Sequence, residues 1–151
     1  MKSVLIDANL LVLLLLGAAD PSLVGRHKKL KRYVPEQFHQ LRELVGCIPR
    51  HVSTPHVLAE TSNLINAGQR EPAPNVTKFF AEYCMKVDEL IFDASKAAVS
   101  PLLFQLGLTD TVILERVVPD GVVIVTNDYE LSGRVQSLGG NALNIWHGLT
   151  P

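Results

Sequence analysis

The stretch SVLIDANLLVLLLLGAA, residues 3–19, constrains the fold most, because it is strongly apolar and yet carries a carboxylate, Asp7. It has the apolar run and small residues of a secretory signal, but an ionised carboxylate inside a membrane helix costs about 2.5–3.5 kcal/mol. No apolar run approaches the roughly 18 residues that span a bilayer. The stretch is better explained as a buried strand followed by a helix that ends at Gly17. We therefore expect a complete, cytoplasmic protein without membrane contact.

Composition limits the classes to which the protein can belong. Its 151 residues, 47% hydrophobic and 19% charged, suit one domain over residues 1–151 with a proper core. The net charge of −1 means that any affinity for nucleic acid must come from a local patch. Cys47 and Cys84 have no CxxC spacing, so we expect two buried thiols and neither a disulfide framework nor a zinc site.

Short β-branched runs alternate with longer amphipathic runs, which is typical of an α/β fold with a parallel sheet. The sequence predicts helices between the strands, one of them from Pro35 to Gly46, and a break at Pro101 in the helical segment 93–107. Residues 108–118 predict one more helix, and residues 20–34 a loop or broken helix. The strands are predicted at SVLID, HVSTP, DELIF, GVVIVTND and NALNIW. We expect a three-layer α/β/α sandwich with a central parallel sheet.

Four acids fall where such a sheet places its ligands, near the carboxyl ends of its strands. Asp7 ends the first strand, and Asp128 follows the apolar strand GVVIVTN. Asp110 lies in the first turn of a helix that Thr109 is expected to cap. Glu60 lies within the helix HVLAETSNLI, near the boundary of its apolar face. The four side chains are therefore candidates for one site.

Each acid also has a structural explanation. Asp110 alone is a favourable charge at a helix N-terminus, Glu60 alone a surface residue, and Asp128 alone a helix cap. Asp7 is harder to explain, because a carboxylate in apolar surroundings is costly unless it is paired or bound to metal. Four converging acids would repel one another without a cation, and hard oxygen ligands favour Mg²⁺ or Mn²⁺ over zinc. Such ions polarise phosphodiesters and activate water, so the set predicts phosphoryl-transfer chemistry.

Four segments, VLIDAN, TPHVLAETSNLI, LGLTDTVILE and VIVTNDYELS, in this order over nearly the whole chain, resemble the PIN-domain ribonuclease family. The resemblance implies that the acidic catalytic positions are Asp7, Glu60, Asp110 and Asp128, the three aspartates holding the metal. Glu60 is then either a further ligand, through water, or a group that positions the nucleophile. Asn9 and Thr126 match positions that brace those acids by hydrogen bonding.

By this resemblance the protein is a Mg²⁺- or Mn²⁺-dependent endoribonuclease. A free-standing domain of this size is similar to the VapC-type toxins of bacterial toxin–antitoxin modules, which implies RNA as substrate and a cognate antitoxin as partner. A homodimer is also expected, because the apolar first helix needs cover. The chain departs from the family pattern at Thr111, where a smaller residue is more usual, and in the insertion-like stretch Asp20–Tyr33.

The segment RHKKLKR gathers six basic groups, counting His27, in an otherwise balanced chain. It could contact RNA phosphates or form a solvated face, and the residues alone leave both open. The candidate phosphate contacts are Arg26, Lys28, Lys29, Lys31 and Arg32. His56, one helical turn before Glu60, is similarly open, either as a ligand or, more simply, as part of a helix start after Pro55.

Three rival functions remain. A receiver-like Mg²⁺-binding signalling domain needs adjacent acids after the first strand and a late lysine, both missing here, although Asp93 after DELIF keeps it open. A haloacid-dehalogenase-like phosphatase needs a second acid where Asn9 stands. A catalytically silent PIN-fold scaffold that binds RNA or a protein partner would be favoured by the loss of an acid, and none is lost.

Overall fold

The computed structural model describes residues 3–68 and 74–145, in which helices flank a five-stranded, all-parallel sheet. The strands are β1 Ser3–Ile6, β2 Arg50–Ser53, β3 Asp88–Glu89, β4 Val123–Thr126 and β5 Ala142–Asn144. The helices are α1 Ala8–Ala19, α2 Pro35–Gly46, α3 Pro55–Ile65, α4 Pro74–Lys86, α5 Ala94–Ala98, α6 Leu103–Leu106, α7 Leu108–Val112 and α8 Tyr129–Ser137. The predicted α/β class and three-layer sandwich are confirmed.

The sheet has the order β3-β2-β1-β4-β5, so the chain winds away from β1 in both directions. The central strands β1 and β4 are fully buried, and Val4 pairs with Val123 and Ile6 with Val125. The pairing continues past β1, because the Asp7 amide donates to the Val125 carbonyl at 2.9 Å. In a parallel sheet this reversal of winding opens a crevice at the carboxyl ends of the two strands. The chain that leaves β1 and β4 therefore lines a ready ligand site.

Helix α1 is apolar on nearly every side and is buried within the chain itself. Leu10, Leu11, Leu13 and Leu16 are each at most 1% exposed, and the helix packs against α2, α3 and α4. An all-round apolar helix belongs in the interior of a domain. Other helices of the same chain therefore cover the apolar surface of α1. The expectation of a homodimer rested on α1 needing cover, and that argument is wrong.

The sequence predicted that α1 ends at Gly17, and this prediction is wrong. The helix continues to Ala19, and the Asp20 amide donates to the Leu16 carbonyl at 2.9 Å. A Cβ atom on Gly17 would lie 2.4 Å from Cδ2 of Phe38, which is 1% exposed. The glycine is therefore a close-packing site between α1 and α2 rather than a stop.

Two other predicted elements differ in detail. The helix expected over residues 108–118 is α7 followed by a π-helical turn, Ile113–Val117, and a 3₁₀ turn, Val118–Asp120. Strand β3 has two residues rather than five, because it is an edge strand with β2 as its partner. The break at Pro101 is confirmed between α5 and α6. The Pro-rich turn before α4 and the end of NALNIW at Trp146 lie outside the described residues.

The prediction that both cysteines are buried is wrong. Cys47 is exposed, because it follows the last residue of α2 on the turn into β2, and Cys84 is partly buried. Among the described residues, no helix combines the length and the hydropathy that a membrane span requires.

Candidate functional site

Asp7 is held at the carboxyl end of β1 by two hydrogen bonds. It is 8% exposed and caps α1, and its Oδ1 accepts from the Ala8 amide at 2.8 Å. Its Oδ2 accepts from the Thr126 hydroxyl at 2.8 Å. The same hydroxyl accepts from the Asp128 amide at 3.0 Å. Thr126 therefore ties the chain after β4 to the carboxylate after β1, as the bracing role predicted for it requires.

Asp128 caps α8, which is the structural explanation that the sequence offered for it. Its Oδ1 accepts from the amides of Glu130 and Leu131 at 2.8 and 3.1 Å. Both bonds use the same oxygen, so the cap leaves Oδ2 for another partner. A carboxylate at this position also interacts favourably with the helix dipole. The cap fixes the direction of the side chain without excluding a second role.

Asp110 lies half-buried in the first turn of α7, as predicted, but Thr109 does not cap that helix. The N-cap is Gly107, whose φ of 80° lies in the region that glycine adopts without strain. The unusual Thr111 is accommodated because its buried hydroxyl donates to the Gly107 carbonyl at 2.7 Å.

The four acids Asp7, Glu60, Asp110 and Asp128, called the acidic cluster below, act on one another electrostatically. Burial is the main cause that raises the pKa of Asp7; the bonds from Thr126 and Ala8 oppose it, and the charges of Glu60 and Asp128 add to it. Burial also raises the pKa of Asp110 to about 7, together with the charges of Asp7, Asp128, Glu60 and Glu130. Every charged group that acts on these two pKa values is a carboxylate. Within residues 3–68 and 74–145, the charges that act on Asp7 and Asp110 are therefore all negative.

Glu130 is a member of this field that the sequence reasoning missed. It is exposed in the first turn of α8, two residues after Asp128. Its spacing from Asp128 was a visible signal, but a glutamate in a first helical turn is common for its interaction with the helix dipole. Glu130 adds negative charge at the site, but it was not one of the four acids that the sequence predicted.

The polar groups around the cluster differ in how they are satisfied. Among the described residues, Asn9 is exposed and makes no hydrogen bond to the four acids, so the bracing expected of it is not present. Buried side-chain atoms without a hydrogen-bond partner are found at Ser53 Oγ, His56 Nδ1 and Asn144 Nδ2. Ser53 and Asn144 end β2 and β5, and His56 opens α3 directly after β2. Unsatisfied polar atoms are rare in folded proteins and here gather at the same edge as the acids.

The carboxylate oxygens and the negative charge of the acidic cluster suit a hard divalent cation, but the distances between the side chains do not. Several carboxylates with an uncompensated negative field are what Mg²⁺ and Mn²⁺ select. Within residues 3–68 and 74–145, however, no three His, Cys, Asp or Glu side chains stand close enough together to hold an ion as they are arranged. The acids share an electrostatic environment without forming a closed coordination shell.

The basic segment 26–32 is divided between the surface and the core. His27 is buried, accepting from the Lys29 amide through Nδ1 at 3.1 Å and donating Nε2–H to the Ile65 carbonyl at 3.0 Å. It is therefore a structural residue rather than one of six surface cations. The exposed members are Arg26, Lys28, Lys29, Lys31 and Arg32.

The segment ends beside the acidic edge. Tyr33 is 4% exposed, and its hydroxyl oxygen accepts from Arg32 Nη2 at 3.0 Å and from Asn127 Nδ2 at 2.9 Å. Asn127 lies between Thr126 and Asp128 in the chain. This link was invisible in the sequence because it joins residues 94 positions apart. It brings at least one cation of the segment to the loop that carries Asp128.

The acids lie outside three clefts that the surface contains. One of about 510 Å³ is lined by Leu114, Val118 and Leu138, and one of about 410 Å³ by Val45, His51 and Tyr83. The third, of about 510 Å³, runs between α8 and β5. No member of the acidic cluster lines any of them. The acidic cluster therefore lies outside these three clefts, and two of its members, Glu60 and Asp128, are exposed at the surface.

Asp93, which kept the receiver-like alternative open, does not join the cluster. It is exposed before α5 and is not among the groups that shift the pKa values of Asp7 and Asp110. In comparisons with known proteins, no family model, no curated protein and no solved structure matches this chain. The resemblance to PIN-domain ribonucleases therefore stays a hypothesis based on the four sequence segments.

Proposed function

We propose that this protein is a Mg²⁺- or Mn²⁺-dependent endoribonuclease of the PIN type. The observation that carries the proposal is the mutual repulsion within the acidic cluster: among the described residues, every charged group that shifts the pKa of Asp7 or Asp110 is another carboxylate. Holding like charges together in a partly buried site is costly, and strongly perturbed carboxylates of this kind mark functional sites. A bound divalent cation would remove the repulsion.

Hydrogen bonds orient two of the three proposed ligands for such an ion. Asp7 is oriented by the hydrogen bonds from Ala8 and Thr126, and Asp128 by its cap, which leaves Oδ2 available. Asp110 completes the set of three ligands. Bound Mg²⁺ or Mn²⁺ supplies Lewis-acid polarisation of a phosphodiester and makes water nucleophilic near neutral pH. Glu60, exposed on α3, either positions the attacking water or contributes a further ligand through water.

RNA as substrate, a bacterial toxin–antitoxin role with a cognate antitoxin, and a cytoplasmic location belong to the same proposal and rest on the sequence resemblance. Two structural features support a nucleic-acid substrate. The basic segment exposes five cations and ends beside the loop that carries Asp128. Glu60 and Asp128 are also exposed, so these two acids are accessible to a polymer.

A catalytically silent scaffold is the second candidate function. The observation that favours it is the spacing of the acids, since in the described part of the chain no three of these side chains stand close enough to hold an ion. Catalysis requires the carboxylates to draw together as the cation neutralises them. A scaffold would bind RNA or a protein partner with the acids left apart.

Cleavage of a labelled structured RNA by purified protein, with Mg²⁺, with Mn²⁺ and with chelator, separates the two functions. We expect metal-dependent cleavage that falls about 100-fold or more in Asp7→Asn and in Asp128→Asn. Asp93→Asn is the matched control, because it makes the same chemical change at an exposed acid outside the cluster. We expect Asp93→Asn to cleave like the parent.

The asparagine substitution at Asp128 is chosen to preserve the cap of α8. Its amide oxygen can accept the same two bonds, so we expect thermal stability to change by less than about 0.5 kcal/mol while cleavage is lost. Parent-like cleavage by Asp7→Asn and Asp128→Asn would show that the acids are not the active site. A parent that binds RNA but cleaves it with neither metal would favour the scaffold.

A further inference from the structure

We propose that Arg32 binds an RNA phosphate next to the scissile one and that Tyr33 positions it there, an assignment that rests on the proposed ribonuclease function. Five exposed cations in the basic segment are candidates for such a contact. Among the described residues, hydrogen bonds through Tyr33 and Asn127 tie Arg32, and none of the other four, to the acidic edge. The assignment turns a diffuse basic segment into one specific contact with one supporting residue.

Tyr33 holds the guanidinium in two ways. Its hydroxyl oxygen accepts from Arg32 Nη2 at 3.0 Å, and the guanidinium carbon lies 5.1 Å from the centre of its ring. The ring is buried, so it gives the arginine a fixed support at the surface. The planar fork has five N–H donors, and those not used by Tyr33 remain for an anion such as phosphate. An arginine ordered in advance loses less conformational entropy on binding.

The same hydroxyl connects this support to the site. Asn127 Nδ2 donates to it at 2.9 Å, and Asn127 lies between Thr126, which bonds Asp7, and Asp128, which caps α8. Two hydrogen bonds thus separate the Arg32 guanidinium from the loop that carries two members of the site. These bonds connect the proposed phosphate contact to the chain segment that carries Asp128.

The contacts of Arg32 indicate which phosphate it can reach. Among the described residues, Arg32 donates to Tyr33 and forms no ion pair with any member of the acidic cluster. Its link to the site runs through Tyr33 to Asn127, the residue before Asp128. This placement beside the cluster suits a neighbouring phosphate of the same strand. Such contacts fix register and orientation without reading sequence.

Steady-state cleavage of one RNA by four variants tests the contact. We expect Arg32→Gln to raise KM about tenfold with kcat within about twofold, and to reduce the slope of log affinity against log salt by about 0.7. Arg32→Lys should restore the salt slope but only part of KM, because lysine lacks the fork. Tyr33→Phe keeps the ring and every charge, so we expect KM to rise about threefold with the salt slope unchanged. Lys31→Gln, an equal loss of charge next to Arg32, should stay within about twofold of the parent.

Equal effects of Lys31→Gln and Arg32→Gln would overturn the proposal in favour of a diffuse charge effect. A Tyr33→Phe variant that loses thermal stability while its KM stays at the parent value would overturn the positioning role. Binding of the same RNA in chelator is measured in parallel. A parent that binds without cleaving would refute the ribonuclease function, whereas a loss of binding specific to Arg32 would still support the contact.

Discussion

Thr126 shows how single side chains build the candidate site and how much of it could be foreseen. Its hydroxyl donates to Asp7 and accepts from the Asp128 amide, so one residue orders both strand ends. The sequence indicated this role only through the resemblance to PIN-domain ribonucleases, in which the matching position braces the acids. It did not indicate Tyr33 with Asn127, since that bond depends on how a long surface segment folds back. Local pattern predicts residues on regular elements better than contacts made by loops.

Asp110→Asn should make the metal-free protein more resistant to unfolding at alkaline pH. The folded-state pKa of Asp110 is about 7 against an ordinary 3.8, so the folded protein holds the proton more tightly, and stability falls as pH rises from about 4 to about 7. The Asp110→Asn variant has no carboxyl group to deprotonate at this position, so it does not lose this stability. After discounting for solvent screening of a half-exposed group, we expect its advantage over the parent to be about 1–2 kcal/mol larger at pH 8 than at pH 5.

Urea unfolding with chelator at the two pH values measures this difference. Asp93→Asn serves as the control, because it makes the same change at an exposed acid outside the cluster. An advantage of Asp110→Asn that is the same at pH 5 and pH 8 would show that the carboxyl of Asp110 titrates like a free one.

At the scale of elements, the sequence predicted type better than boundaries. Helix α2 begins at Pro35 and ends at Gly46 as predicted, because Pro at a first turn and Gly at an end are local signals. Gly17 carries the same local signal but does not end a helix. It allows α1 to pack closely against Phe38 of α2. The π-helical turn after α7 has no local signal either. Such features are decided by packing, which the chain's own pattern does not contain.

Gly17→Ala should destabilise the protein by about 1–3 kcal/mol, because the added Cβ would overlap the buried ring of Phe38. Alanine is otherwise the better helix former, so an effect of this sign can come only from the packing. Gly133→Ala is the matched control within α8, where nothing lies within 4 Å of the added atom. We expect it to stabilise by about 0.5–1 kcal/mol. Thermal and urea unfolding of both variants give the comparison, and stabilisation by both would show that α1 and α2 are not tightly packed at Gly17.

For the whole molecule, the alternation of strands and helices determined the fold class, and the ends of β1 and β4 placed two of the four predicted acids at one edge of the sheet. Asp7 and Asp128 follow adjacent strands, so their proximity is a direct consequence of the order in which β1 and β4 pair. Asp110 and Glu60 lie on helices, and their approach depends on how α7 and α3 pack on that edge. The sequence pattern does not determine the distances between the four carboxylates to a precision of an ångström or so. These distances decide whether a cation binds.

Binding of Mn²⁺ should raise the unfolding temperature of the parent in a pH-dependent way. At pH 8, with Mn²⁺ at about 100 times its Kd, we expect a rise of about 5 °C or more. Because burial and neighbouring carboxylates raise the pKa of Asp110 to about 7, that group is protonated at pH 5.5 and must lose its proton to bind, so the rise should be much smaller there. Asp7→Asn should remove the effect, whereas Asp93→Asn should retain it. Differential scanning fluorimetry at constant ionic strength measures all three proteins, and an equal rise in the parent and Asp7→Asn would place the ion somewhere other than the acidic cluster.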